Sequence, residues 1–408
     1  MKKALATILA LVMALGLTTY AWADTGVDCA GGEACTHAAE FNGKHYNHLV
    51  DAYAALTRGT TKPTTAQVIT LLRDSSGGGI GSDTDTNMNY VIDFGGYTYT
   101  VGAPAVGSTG TVSQGLRVLQ TSTAKFMNGT LKAADYNGLV QVVHTYGDVT
   151  FENFNVDARE NSYAQIAVEP DCGTLNITGN SSILAREGET GLYVAFWHTA
   201  TYDGTTVNVN TTGKITGKLV YEFDEDMTGN DAATENKAVL NIANGNFEIT
   251  GIETLFSGVT NAALKEAKIK VTGGNFTADV YAYAPEGTPV ATVGNEGQAV
   301  GSSAISAAAN GGKDVTVVKA GPINGVDAGK SIIVERGVTG VTVNGVPVTG
   351  NSYTVPARYY YYNSTTTDTK ADDTKGSPKT FDAGVGIYAV TAVLSVTGMA
   401  WAAKKRGN

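Results

Sequence analysis

The sequence predicts an all-β fold, specifically a solenoid of the parallel β-helix type. Three observations lead to it. A five-residue phrase recurs through the middle of the chain. The phrase closes, in all copies but one, on a residue able to turn a sharp corner. The composition is that of many short strands joined by tight turns.

The phrase reads apolar, polar, apolar, any residue, then Gly or Asn. It begins at Ile92 (IDFGG), Ala124 (AKFMN), Val149 (VTFEN), Leu175 (LNITG), Val207 (VNVNT), Leu240 (LNIAN) and Ile269 (IKVTG), at intervals of 25 to 33 residues. Its second position is polar throughout: Asp93, Lys125, Thr150, Asn176, Asn208, Asn241 and Lys270. Its fifth is Gly96, Asn128, Asn153, Gly179, Asn244 or Gly273, with Thr211 the exception. Alternation over three residues turns two side chains inward and one outward. Gly and Asn tolerate the left-handed backbone region in which a strand turns a corner. A strand and a corner repeated every ~30 residues make one coil of a parallel β-helix. Seven coils stacked at about 4.8 Å give a rod of about 35 Å. A β-sandwich instead gives turn signals every ~8–12 residues without one fixed phrase. The uneven intervals are expected where loops leave the corners, as in GETGLYVAFWHTATYDGT and YEFDEDMTGNDAATENKA.

Gly supplies 50 of the 408 residues and Pro only 9, while 20 Tyr and 11 Phe give enough apolar bulk for a core. The net charge of −10 lacks the basic footprint of a nucleic-acid binder and suits an extracellular surface.

Taken in order, residues 1–23 read as a secretory leader. Lys2 and Lys3 precede an apolar run, and Ala21-Trp22-Ala23 fits the cleavage pattern. Residues 24–87 read as an N-terminal cap. Leu49, Tyr53 and Leu56 fall at helical spacing and Val68–Leu72 reads as a strand, so a short helix would cover the open core of the first coil. Cys29 and Cys35, in CAGGEAC, are close enough to close a disulfide loop in an oxidising compartment. A metal site from Cys29, Cys35 and His37 has no recognised ligand spacing, and no metal or cofactor is expected. Cys172 reads as a small buried hydrophobe. Residues 88–289 are the β-helix. Residues 290–363 are a small β-rich module or the distal end of the rod, with Asn344-Gly345 as a hairpin turn. Residues 364–382 are a polar linker. Residues 383–403 carry no charge beyond the linker's end and are long enough to span a bilayer, and 404–408 begin Lys404-Lys405-Arg406, a basic tail expected on the cytoplasmic side.

The order of polar linker, SPKTFD, apolar span and basic tail resembles the cell-wall sorting signal of Gram-positive surface proteins, the LPxTG type and its NPKTG relatives. Pro378, Lys379, Thr380 and Asp382 match the second form; Ser377 and Phe381 depart from it. The family's transpeptidase cuts between Thr and Gly, and Phe381 stands in the Gly place. The repeat region is also similar to the right-handed parallel β-helix, pectate-lyase-like, surface proteins of Gram-positive gut bacteria. CAGGEACTHAAEFNGKHYNHLVDAYAAL resembles their cap and VTGGNFTADVYAYAPEG their final coil. The resemblance implies right-handed winding and a surface-exposed, anchored protein; it does not imply an enzyme.

Some proteins of this fold cleave polysaccharides, and a glycosidase needs two carboxylates across a cleft. Asp93, Glu152, Asp157, Asp171, Glu222, Asp224 and Asp226 are available, and Glu222, Asp224 and Asp226 alternate along one strand face in YEFDED. The paired-Asp, Asn-Thr-Asp and Gly-His-Gly phrases of polygalacturonases are absent. Arg117, Arg159 and Arg186 are available as lyase bases, but nothing singles one out, and His144 and His198 are isolated. Trp197, with Tyr193 and Tyr202, is placed to stack on a sugar ring. No catalytic residues are assigned. The expected function is an adhesin-like or structural binding module at the cell surface, held in the membrane by its C-terminal helix and taking a glycan or protein ligand. The alternative is a polysaccharide lyase or hydrolase with a divergent site.

Overall fold

A computed structural model describes residues 26–28, 35–108, 110–196, 204–224 and 235–357. The leader, Cys29, the sorting-like motif at Pro378, Lys379 and Thr380, and the apolar span 383–403 lie outside the described residues. Among the described residues, no helix is long and apolar enough to cross a membrane.

The architecture is all-β, and most of its strands pair in parallel with the strand one phrase earlier. Gln67–Leu71, Asn89–Asp93, Thr123–Ala133, Asp148–Asp157, Gly173–Gly179, Thr205–Asp224, Val239–Ser257 and Lys268–Val271 form one ladder in chain order. A second parallel ladder runs through Ser75–Gly77, Thr98–Val101, the later halves of the long strands, Ser182–Leu184 and Gly274–Phe276. A third joins Thr111–Val118, Gln141–Thr145, Ile166–Pro170 and Thr190–Val194 to the same long strands. Parallel strands need a long connection between them. Here that connection is the chain's passage through the other two ladders.

Register explains the recurring phrase. Its third position in the later copies stacks as Phe126, Phe151, Ile177, Val209, Ile242 and Val271, with Ile92, the first position of the first copy, beside Phe126, and all are buried. The first copy is therefore two residues out of step: Tyr90, not Ile92, pairs with Ala124. The cause is a longer corner. Four residues separate Asp93 from Thr98, against two between their partners Met127 and Thr130, and the extra pair includes Gly95 and Gly96, both at positive φ.

The corner residues behave as expected in four copies: Gly96, Asn128, Asn153 and Gly179 have φ of +89°, +57°, +53° and +65°. Asn244 and Gly273 do not. There the positive φ falls one residue later, at Gly245 and Gly274, because Ala243 is an extra residue against the preceding coil, where Val209 pairs with Ile242 but Asn210 with Asn244. Thr211 turns its corner by hydrogen bonds instead. Its hydroxyl lies 2.7 Å from Ser181 O and accepts from Gly213 N at 2.9 Å. At Gly179 a Cβ would meet Asn153 Oδ1 at 2.4 Å, so successive corners touch.

Inside the coils, aromatic rings stack along the axis. Phe154 sits 4.8 Å from Phe94, 5.7 Å from Phe126 and 5.2 Å from Phe151 between ring centroids, and Phe247 and Phe276 stack at 4.6 Å. The helix Leu49–Ala54 closes the first coil with Leu49, Ala52 and Tyr53, all buried. Tyr53 donates to Asp85 at 2.9 Å, and Arg58 pairs with the same carboxylate at 2.7 Å. At the other end the three parallel ladders stop. Gly274–Phe276 pairs antiparallel with Gln298–Val300, which pairs antiparallel with Val290–Val293. Residues 291–343 then gather a second hydrophobic cluster around Ile305, Val317, Ile332 and Val343. Asn344 and Gly345, both at positive φ, turn the short hairpin that joins Thr342–Val343 to Val346–Pro347.

The corner geometry separates two substitutions at one site. Asn153→Gly keeps the left-handed backbone, whereas Asn153→Ala is expected to lower unfolding stability by about 1–2 kcal/mol more. Urea denaturation of the two variants measures the difference.

Candidate functional site

The third ladder carries a column of polar side chains. Leu116, Val143 and Val168 are aligned and buried in the core. Alternation turns their chain neighbours Arg117, His144 and Glu169, also aligned, to the opposite side of the sheet. Val168 pairs with Leu192 on the next strand, so Tyr193 follows Glu169 in the column. Glu222, one strand further, accepts from the Tyr193 hydroxyl and from Ser257 Oγ at 3.1 Å.

Arg117, His144 and Asp171 are nevertheless almost fully buried. Gln114 Nε2 lies 2.6 Å from His144 Nδ1 and donates to it, which leaves Nε2 to donate to Asp171 Oδ2 at 2.7 Å. Arg117 pairs with Asp83, donates to Ser108 Oγ at 2.7 Å, and stands 5.7 Å over the Tyr146 ring. Tyr146 in turn packs on His144 at 4.6 Å between centroids. Gln141 Nε2 donates to Glu169.

Burial sets the electrostatics. It raises the Glu169 carboxyl to about 7, with the nearby charge of Asp171 adding to the effect and His144 and Gln141 opposing it. Burial by itself would lower the His144 pKa, but the hydrogen bond and charge of Asp171 outweigh it and the imidazole titrates above its ordinary value. The Tyr146 and Tyr193 hydroxyls are pushed up, first by burial and then by Asp171 and Glu222 respectively. One donor atom each from His144, Glu169 and Asp171 lies within 4.8 Å of the others. Both imidazole nitrogens are engaged, however, so His144 offers no lone pair to an ion. The arrangement sets two groups with raised pKa values, the Glu169 carboxyl and the His144 imidazole, close enough to influence each other's protonation.

Of the residues singled out in the sequence, Tyr193 and Glu222 meet here, and Asp171 and Arg117 join the column. Asp224 ends the strand Thr205–Asp224, its backbone paired with Ser257; its side chain, and Trp197, His198, Tyr202 and Asp226, lie outside the described residues. The remaining candidates serve local structure. Asp93 Oδ1 accepts from Gly95 N at 2.9 Å, Glu152 pairs with Lys125 at 2.8 Å, Asp157 with Arg159 at 2.7 Å, and Glu189 with Arg186 at 2.7 Å. Glu169 was not foreseen, nor was the part played by His144. The signal was present: Arg117, His144, Glu169 and Tyr193 follow one another at 24 to 27 residues, about one coil.

Comparison of the chain with family models, curated proteins and solved structures finds no match.

The Glu169 shift fixes a pH dependence. A carboxyl raised in the folded state holds its proton there after the unfolded chain has lost it, so its stabilisation is complete below about 4.5 and declines as pH rises to about 7. His144, raised as well, contributes a further decline above its unfolded value of 6.5. Glu169→Gln is expected to flatten the lower part of this decline, as measured by thermal unfolding from pH 4 to 8 (an approximate range set by those two groups).

Proposed function

We propose that this chain is an exported surface protein whose described body is a right-handed parallel β-helix of the pectate-lyase-like kind. Residues 1–23 direct export, and 383–403 with the basic tail hold the body at the membrane or wall. The body acts as an adhesin-like binding module for a glycan.

The observation that carries this reading is the treatment of the outward face. Side chains one coil apart are tied to each other in ladders: Asn208 Nδ2 donates to Asn176 Oδ1 at 2.9 Å, and Asn241 Nδ2 donates to Asn208 Oδ1 at 3.0 Å. Thr150 and Lys125 continue the same row of outward positions, and Lys125 forms an ion pair with Glu152, two residues along the strand from Thr150. A flat row of fixed amides, repeating at about the strand spacing of 4.8 Å, presents pre-ordered donors and acceptors to a chain of hydroxyls. Preordered groups lose little entropy on binding.

A second reading is favoured by the polar column. Arg117, His144, Glu169 and Asp171 combine a cation, an imidazole and two carboxylates, one of them titrating near 7, which are the parts of a lyase or hydrolase site. One experiment separates the two. The protein is incubated with a panel of neutral and acidic glycans, and both retention and new reducing ends or unsaturated uronates are followed. Retention without turnover supports the binding module, and substitution of Asn176, Asn208 and Asn241 together by alanine then weakens it by about tenfold or more, some 1.4 kcal/mol. Turnover that is lost in Glu169→Gln replaces the binding module by the enzyme. Anchoring has its own measurement: a stop codon at 383 is expected to release the protein from cells into the medium, and unchanged cell association would remove the tail as tether.

A further inference from the structure

The hairpin ahead of the first coil brings together three side chains that bind soft divalent metals. Ala39–Phe41 and Lys44–Tyr46 pair around Asn42 and Gly43, whose φ angles are +53° and +76°, and Glu40 stands opposite His45. On the other edge Val27 exchanges two backbone hydrogen bonds with His45, each of 2.9 Å, so His45 is held on the middle strand of three. Ala38 N donates to Tyr46 O at 2.8 Å and draws the segment 35–38 alongside. Cys35 Sγ then lies 2.9 Å from His45 Nδ1 and 3.4 Å from His37 Nδ1, and the three donor atoms fall within 4.8 Å of one another. The three side chains are half-buried, and Arg73 donates to the Cys35 carbonyl, fixing that end of the segment.

A tetrahedral zinc ion with Zn–S of about 2.3 Å and Zn–N of about 2.0–2.1 Å sets sulfur and nitrogen ~3.6 Å apart. The observed separations approach this within small side-chain rotations. Both imidazoles turn the same nitrogen, Nδ1, to the sulfur. One thiolate and two imidazoles are a donor set that favours zinc over calcium or magnesium, and they leave a fourth position for water or another donor. We propose that Cys35, His37 and His45 form a zinc site that clamps the segment 35–38 to the N-terminal hairpin. The site binds the ion as thiolate and neutral imidazoles, releasing the thiol proton. Its occupation adds to the stability of the cap, because the ligands come together only in the folded chain.

The test uses the full-length protein, purified under reducing conditions and stripped with a chelator. Zn²⁺ is titrated against a chromogenic competitor, and Co²⁺ is added separately. The expected results are one equivalent of metal, a sulfur-to-cobalt charge-transfer band, and a rise in melting temperature that the chelator reverses. Cys35→Ser, His37→Gln and His45→Asn are each expected to weaken binding by at least about tenfold, whereas Cys172→Ser leaves it unchanged. His45 lies in a strand and its variant is checked by circular dichroism; His37 lies outside any strand, so its variant gives the same readout without that risk. Sub-stoichiometric binding, or binding unaffected by His37→Gln, overturns the site. So does peptide mapping of the unreduced protein that finds Cys35 joined to Cys29, since that bond consumes the thiol.

Discussion

The parallel backbone ladder is the constraint on which everything else depends. Each coil satisfies its N–H and C=O groups on the coils before and after it, so a residue's neighbours are those one coil away at the same register. An inward position of one coil lies against the inward position of the next. Hence the column Ile92, Phe126, Phe151, Ile177, Val209, Ile242, Val271 is apolar throughout, though its members are far apart in sequence. The same rule makes polar columns. Asn176, Asn208 and Asn241 bond to each other because they share one register on successive strands.

The rule fails at the two ends, where a ladder has no further coil, and both ends change pairing sense. The hairpin Ala39–Phe41/Lys44–Tyr46 lies antiparallel to Gln67–Leu71, and Gln298–Val300 lies antiparallel to Gly274–Phe276. An antiparallel strand uses the open edge without offering a template for another parallel coil. The helix Leu49–Ala54 seals the apolar end of the first coil, and its Tyr53 reaches Asp85 rather than leaving a buried hydroxyl alone.

These facts also explain what the sequence could reveal. The inward positions and the Gly or Asn corners were legible because one physical requirement is repeated in every coil. The out-of-step first copy was not, because Gly95-Gly96 lengthens one corner and only pairing shows it. The shifted corners at Gly245 and Gly274 follow from a single extra residue, Ala243, that looks like any other small residue in the phrase. The polar column was hidden for a different reason. Arg117, His144 and Glu169 are each ordinary in their own strand and become a group only when strands of the third ladder, whose sequences share no phrase, are set side by side. His45 was missed beside Cys35 and His37 because it arrives on the return strand of a hairpin.

Ladder bonds run along the stacking direction, and this has a mechanical consequence. A pull applied between the N-terminal hairpin and the strand Val290–Val293 loads those bonds lengthwise, a few at a time, rather than across many at once. Under tension the body is built to peel, one winding after another from an end, each release paying out a further length of slack chain. Such a body dissipates a sudden load gradually, and its outermost turns act as the fuse that spares the remainder.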